Sequence, residues 1–306
     1  MSAVAAQAMP QARRWWTTRR RGHAIALLFV IPALVNFAVF RYLPILAAVR
    51  SSLWQYTLLG GYGQFIGGQA YVRMLGDPIF WKSLQVTAAY VVMKVPAQIA
   101  LSMGLALFLA RENRFAAIVR SAIFAPVVSS IVVVSVIWAL MYHVQLGLIN
   151  SIITSAGLPR IAFLSNADLA LVAIVIMMVW KEIGFSLIIL MAGLKGIPDM
   201  FYEASRIDGA SGWQQFWGIT VPLLRRVLMF VVVTQTIFSF QVFVPVYTMT
   251  HGGPLDATKV IVYYIYQNGF LFQDMGYAAA MSTVTLAILL VVSAVQMRLL
   301  RSEVEY

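Results

Sequence analysis

The chain has 306 residues, of which 61% are hydrophobic and only 11% are charged. Soluble domains usually carry about 25% charged residues, so this composition excludes a water-soluble enzyme and a disordered chain and indicates a polytopic membrane protein. The formal net charge is +11, cysteine is absent and the three histidines are scattered, which excludes disulfides and predicts no metal site.

Six stretches are apolar and long enough to cross about 30 Å of hydrocarbon as helices. In chain order, the predicted spans are residues 23–49, 83–110, 119–142, 167–194, 223–249 and 277–299. They form one transmembrane unit over residues 23–300, between a basic leader of residues 1–22 and a tail of residues 301–306. The first span is predicted to be retained because its apolar run exceeds the core of a signal peptide. The predicted fold class is therefore all-α integral membrane.

The basic residues are unequally divided between the two sides of these spans. The leader, the 111–120 loop, the 195–226 loop and the tail hold most of the Lys and Arg residues that lie outside the spans. Short loops rich in Lys and Arg stay in the cytoplasm, so both termini are predicted to be cytoplasmic. This topology accounts for the net positive charge without a nucleic-acid partner.

The loop between the fourth and fifth spans, residues 195–222, predicts two short helices separated by a sharp turn. Pro198 and Asp199 suit a first helical turn, where proline loses no hydrogen bond and an acid meets the positive end of the helix dipole. Gly209 is placed where a helix ends, and Ser211 can cap the next helix through Gln214 or Gln215. The apolar residues that share one face of the first helix are Met200, Ala204 and Ile207.

This loop resembles the EAA loop of ABC importer permeases in the carbohydrate-uptake family of the maltose and glycerol-phosphate type. Within the loop, Ser205 replaces the usual second alanine and Val221 replaces a common leucine; a third departure from the family pattern is Val244, at a position that is often aspartate. Outside the loop, residues 250–254 (Thr-His-Gly-Gly-Pro) resemble the T-x-G-G-P sequence of the larger maltose-type subunit. The loop residues that carry the resemblance are Glu203, Ala204, Gly209, Ile219 and Pro222.

The resemblance implies a type I ABC importer permease fold in the cell membrane of a bacterium or archaeon. It also implies three protein partners: a second six-span permease, an ABC ATPase dimer and an extracytoplasmic solute-binding protein. ATP and Mg²⁺ would be bound by the ATPase subunits, so this chain is expected to hold no cofactor and not to be an enzyme. The residues that the resemblance assigns to ATPase docking are Glu203, Ala204, Asp208, Gly209, Ala210, Ile219 and Pro222.

Polar residues inside the spans predict the substrate pathway. A charge at mid-bilayer costs about 2.5–3.5 kcal/mol, so such a residue faces a cavity or a partner group. The resemblance implies that the middle parts of the fourth and fifth spans line the cavity, where an aromatic face and hydrogen-bonding groups would suit a sugar. The predicted pathway residues are Lys94, Lys181, Glu182, Phe185, Gln235 and Ser239. For the three charged residues, a tie between helices is the alternative.

The sequence leaves the substrate open. A neutral mono- or oligosaccharide is the first expectation, but Lys94 and Lys181 leave room for glycerol phosphate or a glycerophosphodiester. An ion-coupled secondary transporter is a rival, although it would favour inverted repeats and intramembrane carboxylates, and Glu182 is the one acid well inside a predicted span. A membrane-embedded enzyme would need clustered acids or histidines at a membrane face, and the acids that cluster lie within the docking motif.

Overall fold

The computed structural model describes the backbone of residues 12–110 and 113–300, and within these ranges the side chains of His23 and of residues 25 onward. The expectations for the side chains of the leader, for Arg111 and for the tail fall outside these described residues. The α-helices of the described part are α1 (Ala12–Phe37), α2 (Leu43–Ser51), α3 (Gln69–Leu75), α4 (Pro78–Phe108), α5 (Arg114–Val128), α6 (Ile131–Met141), α7 (Leu148–Ser155), α8 (Ala167–Lys195), α9 (Asp199–Ile207), α10 (Gly212–Gln215), α11 (Val221–Leu223), α12 (Arg225–Phe240), α13 (Val244–Met249), α14 (Ile261–Tyr266) and α15 (Met275–Leu300).

Shorter elements connect these helices. Two strands, β1 (Trp54–Thr57) and β2 (Gly61–Phe65), form an antiparallel hairpin after α2. Five-residue π-helical segments continue α1, α10 and α14, and they cover Ala38–Tyr42, Phe216–Thr220 and Gln267–Leu271.

Within the described residues, five stretches of helix are long and apolar enough to cross a membrane. They correspond to the first, second, fourth, fifth and sixth predicted spans and cover Ile25–Ser51, Pro78–Phe108, Ala167–Lys195, Arg225–Met249 and Met275–Leu300. The helical character and the positions of these spans therefore follow the hydrophobic pattern of the sequence.

The third predicted span differs from its expected shape. The sequence predicts one helix over residues 119–142, but the structure has α5 and α6, which meet at an angle of 100°. Ser129 and Ser130 lie between them with extended ψ angles of 147° and 128°, three residues after Pro126. Proline and small polar pairs are the usual causes of sharp helix bends, and here they divide the span into two pieces.

Helix α8 is the centre of the packing. It contacts α4, α5 and α12, and more than half of its most apolar stretch is buried, whereas none of the corresponding stretch of Ile25–Ser51 is buried. Gly184 allows α8 to approach α5 closely, because a Cβ at this position would lie 2.6 Å from the carbonyl oxygen of Ile123. Small residues of this kind let membrane helices pack backbone to backbone.

The start of α4 is anchored by a carboxylate. Asp77 caps the helix through the amides of Ile79 and Phe80, and it also accepts hydrogen bonds of 2.6 Å from the hydroxyls of Tyr264 and Tyr277. Burial opposes ionisation, but these donors hold the pKa of Asp77 below its ordinary value. Burial, with the hydrogen bond to Asp77, raises the pKa of Tyr264 to about 12. The cap therefore ties α4 to α14 and α15.

Candidate functional site: a buried polar layer and an exposed two-helix segment

A layer of polar side chains crosses the middle of the helix packing. One apolar cluster, which includes Tyr90 on α4, Ile174 on α8 and Val246 on α13, lies on one side of this layer. A second apolar cluster, which includes Leu187 and Val231, lies on the other side. The residues between the two clusters, called the polar layer below, are Lys94, Gln98, Glu182, Ser186, Gln235 and Ser239.

Lys94 is the hub of the polar layer. Its Nζ atom donates to Glu182 Oε2 at 2.6 Å and to Gln235 Oε1 at 2.5 Å, which links α4 to both α8 and α12. The residue is only 1% exposed. Removing a charge from water costs several kcal/mol unless close partners compensate it, and these contacts supply the compensation.

Neutral groups extend the same network. Gln98 Nε2 donates to Ser186 Oγ and to the Glu182 carbonyl oxygen, both at 3.0 Å, and Gln235 Nε2 donates to Ser186 Oγ at 3.2 Å. Ser239 Oγ donates to the carbonyl oxygen of Gln235 at 2.6 Å. Three spans are thus joined by side-chain hydrogen bonds at a depth where backbone groups are already paired within the helices.

A cavity of about 380 Å³ adjoins the polar layer. Lys181, Glu182 and Phe238 contribute to its walls, together with Gln241 and Phe243 from the break between α12 and α13. Its volume lies at the lower end of the range of small-molecule sites. The remaining lining residues are Ile131, Met178, Val242, Val244 and Pro245.

Five of the six predicted pathway residues fall into two groups. Lys181 and Glu182 line the cavity, whereas Lys94, Gln235 and Ser239 are buried behind it in the polar layer. The charged pair of Lys94 and Glu182 therefore forms the inter-helix tie that the sequence left as the alternative. The predicted aromatic contact, Phe185, is half-buried and its ring centroid lies 6.2 Å from that of Phe238, which is the ring that reaches the cavity.

The predicted loop between the fourth and fifth spans folds as two short helices, α9 and α10. Pro198 precedes α9, and Gly209 ends it with a φ of +77°, a conformation that favours glycine. Ser211 caps α10 in a capping box, because its amide donates to Gln214 Oε1 at 2.7 Å and its Oγ accepts from the Gln214 amide at 3.4 Å. The local turn chemistry predicted for this loop is confirmed.

Side-chain hydrogen bonds make the two helices one unit, called the 199–222 segment below. Gln215 Nε2 donates to Ser205 Oγ at 2.9 Å, and the hydroxyls of Tyr202 and Thr220 lie 3.0 Å apart. Ser205, which replaces the alanine of the family pattern, thus links α9 to α10 through its hydrogen bond with Gln215. The segment therefore has internal contacts of its own, and Tyr202 and Phe216 also pack against the second apolar cluster.

The outer face of the 199–222 segment is apolar and exposed. Met200 is 67% exposed and Ile207 is 87% exposed, and exposed apolar patches are typical of interaction surfaces. Among the docking residues expected from the sequence, Ala210 and Ile219 are half-buried and the others are exposed, namely Glu203, Ala204, Asp208, Gly209 and Pro222.

An aromatic cluster in this segment was not anticipated from the sequence. Trp213 and Trp217 are 71% and 55% exposed, and both pack against Phe216 with ring centroids 5.9 and 5.1 Å from it. The i, i+3, i+4 spacing of these rings was the available signal, since it places all three on one side of a helix. All three rings line a cavity together with Ile99 and Met103, so the cluster faces α4.

The Thr-His-Gly-Gly-Pro sequence forms a compact turn after α13. Thr258 donates from Oγ1 to the carbonyl oxygen of Gly253 at 2.7 Å, and its Oγ1 lies 2.7 Å from that of Thr250. Gly252 has a φ of +81° and a Cβ there would lie 2.7 Å from the ring of Tyr263. This turn therefore has a steric requirement for glycine.

Comparison with known proteins identifies the family of the chain. The family described as the binding-protein-dependent transport system inner membrane component matches residues 98–305. The chain belongs to this family. It is a multi-pass permease, and the resemblance found in its loop between the fourth and fifth spans is confirmed.

Two relatives match this permease over nearly all of their length. SmoG, the sulfoquinovosyl glycerol transport system permease protein of Agrobacterium fabrum, is 30% identical over 304 residues, covering 99% of this chain and 98% of that protein. LacF, the lactose transport system permease protein of Rhizobium radiobacter, is 35% identical over 275 residues, covering 88% and 91%.

A solved structure confirms the fold. A chain of a bacterial ABC transporter that imports the acidic polysaccharide alginate superposes with a TM-score of 0.81, covering 96% of this permease and 100% of that chain. Because the sequence identity is 22%, the similarity establishes the type I importer permease fold and nothing about the solute.

Proposed function

We propose that this permease forms half of the translocation pore of an ATP-driven, binding-protein-dependent importer of a sugar or sugar-like solute. A second six-span permease forms the other half, an ABC ATPase dimer binds ATP and Mg²⁺, and an extracytoplasmic binding protein delivers the solute. The relatives named for the transport of lactose and of sulfoquinovosyl glycerol support this solute class, since both match almost the whole chain.

The exposed 199–222 segment is the observation that carries the proposal. It is a small folded unit whose apolar side chains, including Met200 and Ile207, are uncovered in the isolated chain. Burying such a surface against another protein gains roughly 25 cal/mol for each Å² of apolar area. We assign this surface to the ATPase, with Glu203 and Asp208 as its charged groups, which makes this side of the permease and both termini cytoplasmic.

The connections of the segment suggest how ATP hydrolysis reaches the pore. Helix α8 ends at Lys195, four residues before α9, and α11 leads directly into α12 at Arg225. Any displacement of the docked segment therefore acts on α8 and α12, the two helices that carry Lys181, Glu182 and Phe238 to the cavity. The hydrogen bonds of Lys94 couple α4 to the same movement.

The substrate pathway follows from this arrangement. Lys181, Glu182 and Phe238 form the contact surface, with Gln241 offering hydrogen bonds to hydroxyl groups and Phe243 offering an aromatic face. Sugars need both kinds of contact. Gln235, Ser239 and Lys94 position Glu182 and the helices from behind.

ATP-dependent uptake in proteoliposomes tests the proposal. The complete transporter would be reconstituted with this permease as wild type, as Gly209→Val and as Gly104→Ala. A β-branched residue at a φ of +77° is strained by about 1–2 kcal/mol, so Gly209→Val should distort the docking turn and lower uptake. A methyl group added at Gly104, on α4 and outside the 199–222 segment, would meet no atom within 4 Å and the backbone there has no positive φ, so Gly104→Ala should transport normally.

The measured quantities are solute accumulation, ATP hydrolysis and co-purification of the ATPase. We expect that accumulation of the solute requires ATP. In Gly209→Val, we expect less solute uptake and less ATPase co-purifying with the permease. Accumulation driven by a proton gradient without ATP, or full coupling in Gly209→Val, would contradict it.

A further inference from the structure

The charges beside the cavity do not cancel. Lys94 and Glu182 form a 2.6 Å ion pair, so together they contribute no net charge. Lys181 also lines the cavity and is only 8% exposed. Among the described residues, no carboxylate lies within 4.0 Å of its ammonium group. The wall of the cavity therefore carries one uncompensated positive charge.

The contact that Lys181 does make compensates it only in part. Its Nζ atom donates to the carbonyl oxygen of Val127 at 3.4 Å. Val127 lies in the last turn of α5, where carbonyl groups have no partner within the helix and the helix dipole supplies about half a negative charge. An ammonium group has three protons to donate, so this single long hydrogen bond leaves most of its capacity unused.

No other acid of the surrounding helices can complete the compensation. The cavity is lined by α6, α8, α12 and α13, and Lys181 also contacts α5; the acidic residues of these five helices are Glu182 and Asp168. Asp168 lies in the first turn of α8, roughly 20 Å along the helix axis from Lys181. The remaining charges on these helices lie toward the opposite end and are basic, namely Arg114, Arg120, Lys195, Arg225 and Arg226.

A buried ammonium group that has no counter-charge strongly favours the binding of an anion. We propose that this cavity takes an anionic solute, a sugar or polyol that carries a carboxylate, sulfonate or phosphate group, and that Lys181 binds the acidic group. The inference rests on the proposed function and narrows its solute class. The acidic group completes the charge balance at Lys181, while Phe238 and Gln241 contact the remainder of the solute.

Matched solute pairs test the charge preference with the complete transporter in proteoliposomes. The pairs are glucuronate with glucose, sulfoquinovose with glucose, and sn-glycerol 3-phosphate with glycerol. ATP-driven accumulation of an acidic member without its neutral counterpart supports the inference. Accumulation of neutral members alone overturns it while the proposed function stands. Accumulation of any member without ATP contradicts the proposed function itself.

Variants of Lys181 test the assignment of the residue, using the acidic solute that is accumulated. Lys181→Met should lower its uptake roughly 10- to 100-fold, because a charge-assisted hydrogen bond is lost, and Lys181→Arg should restore most of it. Lys82→Met is the matched control, since Lys82 is exposed at the start of α4. Unchanged uptake by Lys181→Met overturns the assignment.

Assembly provides the second readout. The ATPase and the second permease should co-purify equally with wild type, Lys181→Met and Lys181→Arg. If Lys181→Met loses the second permease while Lys181→Arg keeps it, Lys181 pairs with a carboxylate of that subunit, and the inference is overturned.

Discussion

The polar layer and the 199–222 segment depart from ordinary burial in opposite directions. In the polar layer, a lysine and two glutamines are almost fully buried between apolar clusters. In the 199–222 segment, Met200, Ile207 and Trp213 are each more than 60% exposed. Each departure costs free energy in the isolated chain, by desolvation in the first region and by hydration of apolar surface in the second.

The two regions recover this cost differently. In the polar layer, the charge of Lys94 is compensated within the chain, because its ammonium group has Glu182 and Gln235 as partners. The exposed apolar side chains of the segment are not covered by other described residues. The segment itself is stabilised by internal hydrogen bonds, such as the one from Gln215 to Ser205. Substitutions in the polar layer should therefore damage the fold, whereas substitutions on the exposed face should damage coupling.

The largest expected effect comes from breaking the ion pair of the polar layer. Lys94→Met leaves Glu182 without its counter-charge, and breaking a buried pair in this way costs about 3–5 kcal/mol. Because Glu182 is 21% exposed, the lower end of this range is expected. Thermal stability of the detergent-solubilised permease and its yield in the membrane would measure the loss.

A double variant sharpens this prediction. Lys94→Met combined with Glu182→Gln removes both charges and should be more stable than Lys94→Met alone, because no uncompensated charge remains. Lys82→Met is the exposed control and should change stability little. Equal stability of Lys94→Met and wild type would show that the polar layer does not hold the three helices together.

A smaller effect is expected where helices touch backbone to backbone. Gly184→Ala would place a methyl group 2.6 Å from the Ile123 carbonyl oxygen and 2.8 Å from the Phe124 Cα atom, so α5 and α8 must separate. Overpacking of this kind costs about 1–3 kcal/mol. Gly104→Ala is the matched control on α4, where the added methyl group meets nothing within 4 Å. A thermal stability assay that ranks the two variants equally would contradict the close packing.

The smallest effect on stability is expected on the exposed face of the segment. Ile207→Ser should change the free energy of unfolding by less than about 0.5 kcal/mol, because the side chain has few contacts to lose. The same variant should lower co-purification of the ATPase and ATP-driven uptake. A large loss of thermal stability in Ile207→Ser would mean that the face is packed within the permease and not reserved for a partner.

The sequence predicted the local features well because they depend on nearby residues. The capping box of Ser211 and Gln214 and the end of α9 at Gly209 are short-range geometry, and both are present. The partnership of Lys94 with Glu182 joins residues 88 positions apart, so only the packing of α4 on α8 could decide between a tie and a free cavity group. Ser186 was overlooked for the same reason, since its role depends on two partners from other helices.

Two departures from the expected fold have local causes that periodicity does not reveal. The bend after Val128 lies at a serine pair, but the apolar pattern continues through it and predicted one span. The hairpin of β1 and β2 was not predicted, because its strands have four and five residues and are too short to give a clear alternation.

The central claim, that the 199–222 segment docks on the ATPase, can be tested by site-directed cross-linking. The chain contains no cysteine, so Ile207→Cys and Leu59→Cys each give the permease a single reactive thiol, which can be labelled before assembly. Both positions are more than 80% exposed, and Leu59 lies in the turn between β1 and β2. A maleimide–benzophenone reagent on each thiol, activated by light in the assembled transporter, should join Ile207→Cys to the ATPase and Leu59→Cys to no ATPase. An ATPase adduct from Leu59→Cys, with none from Ile207→Cys, would contradict the account.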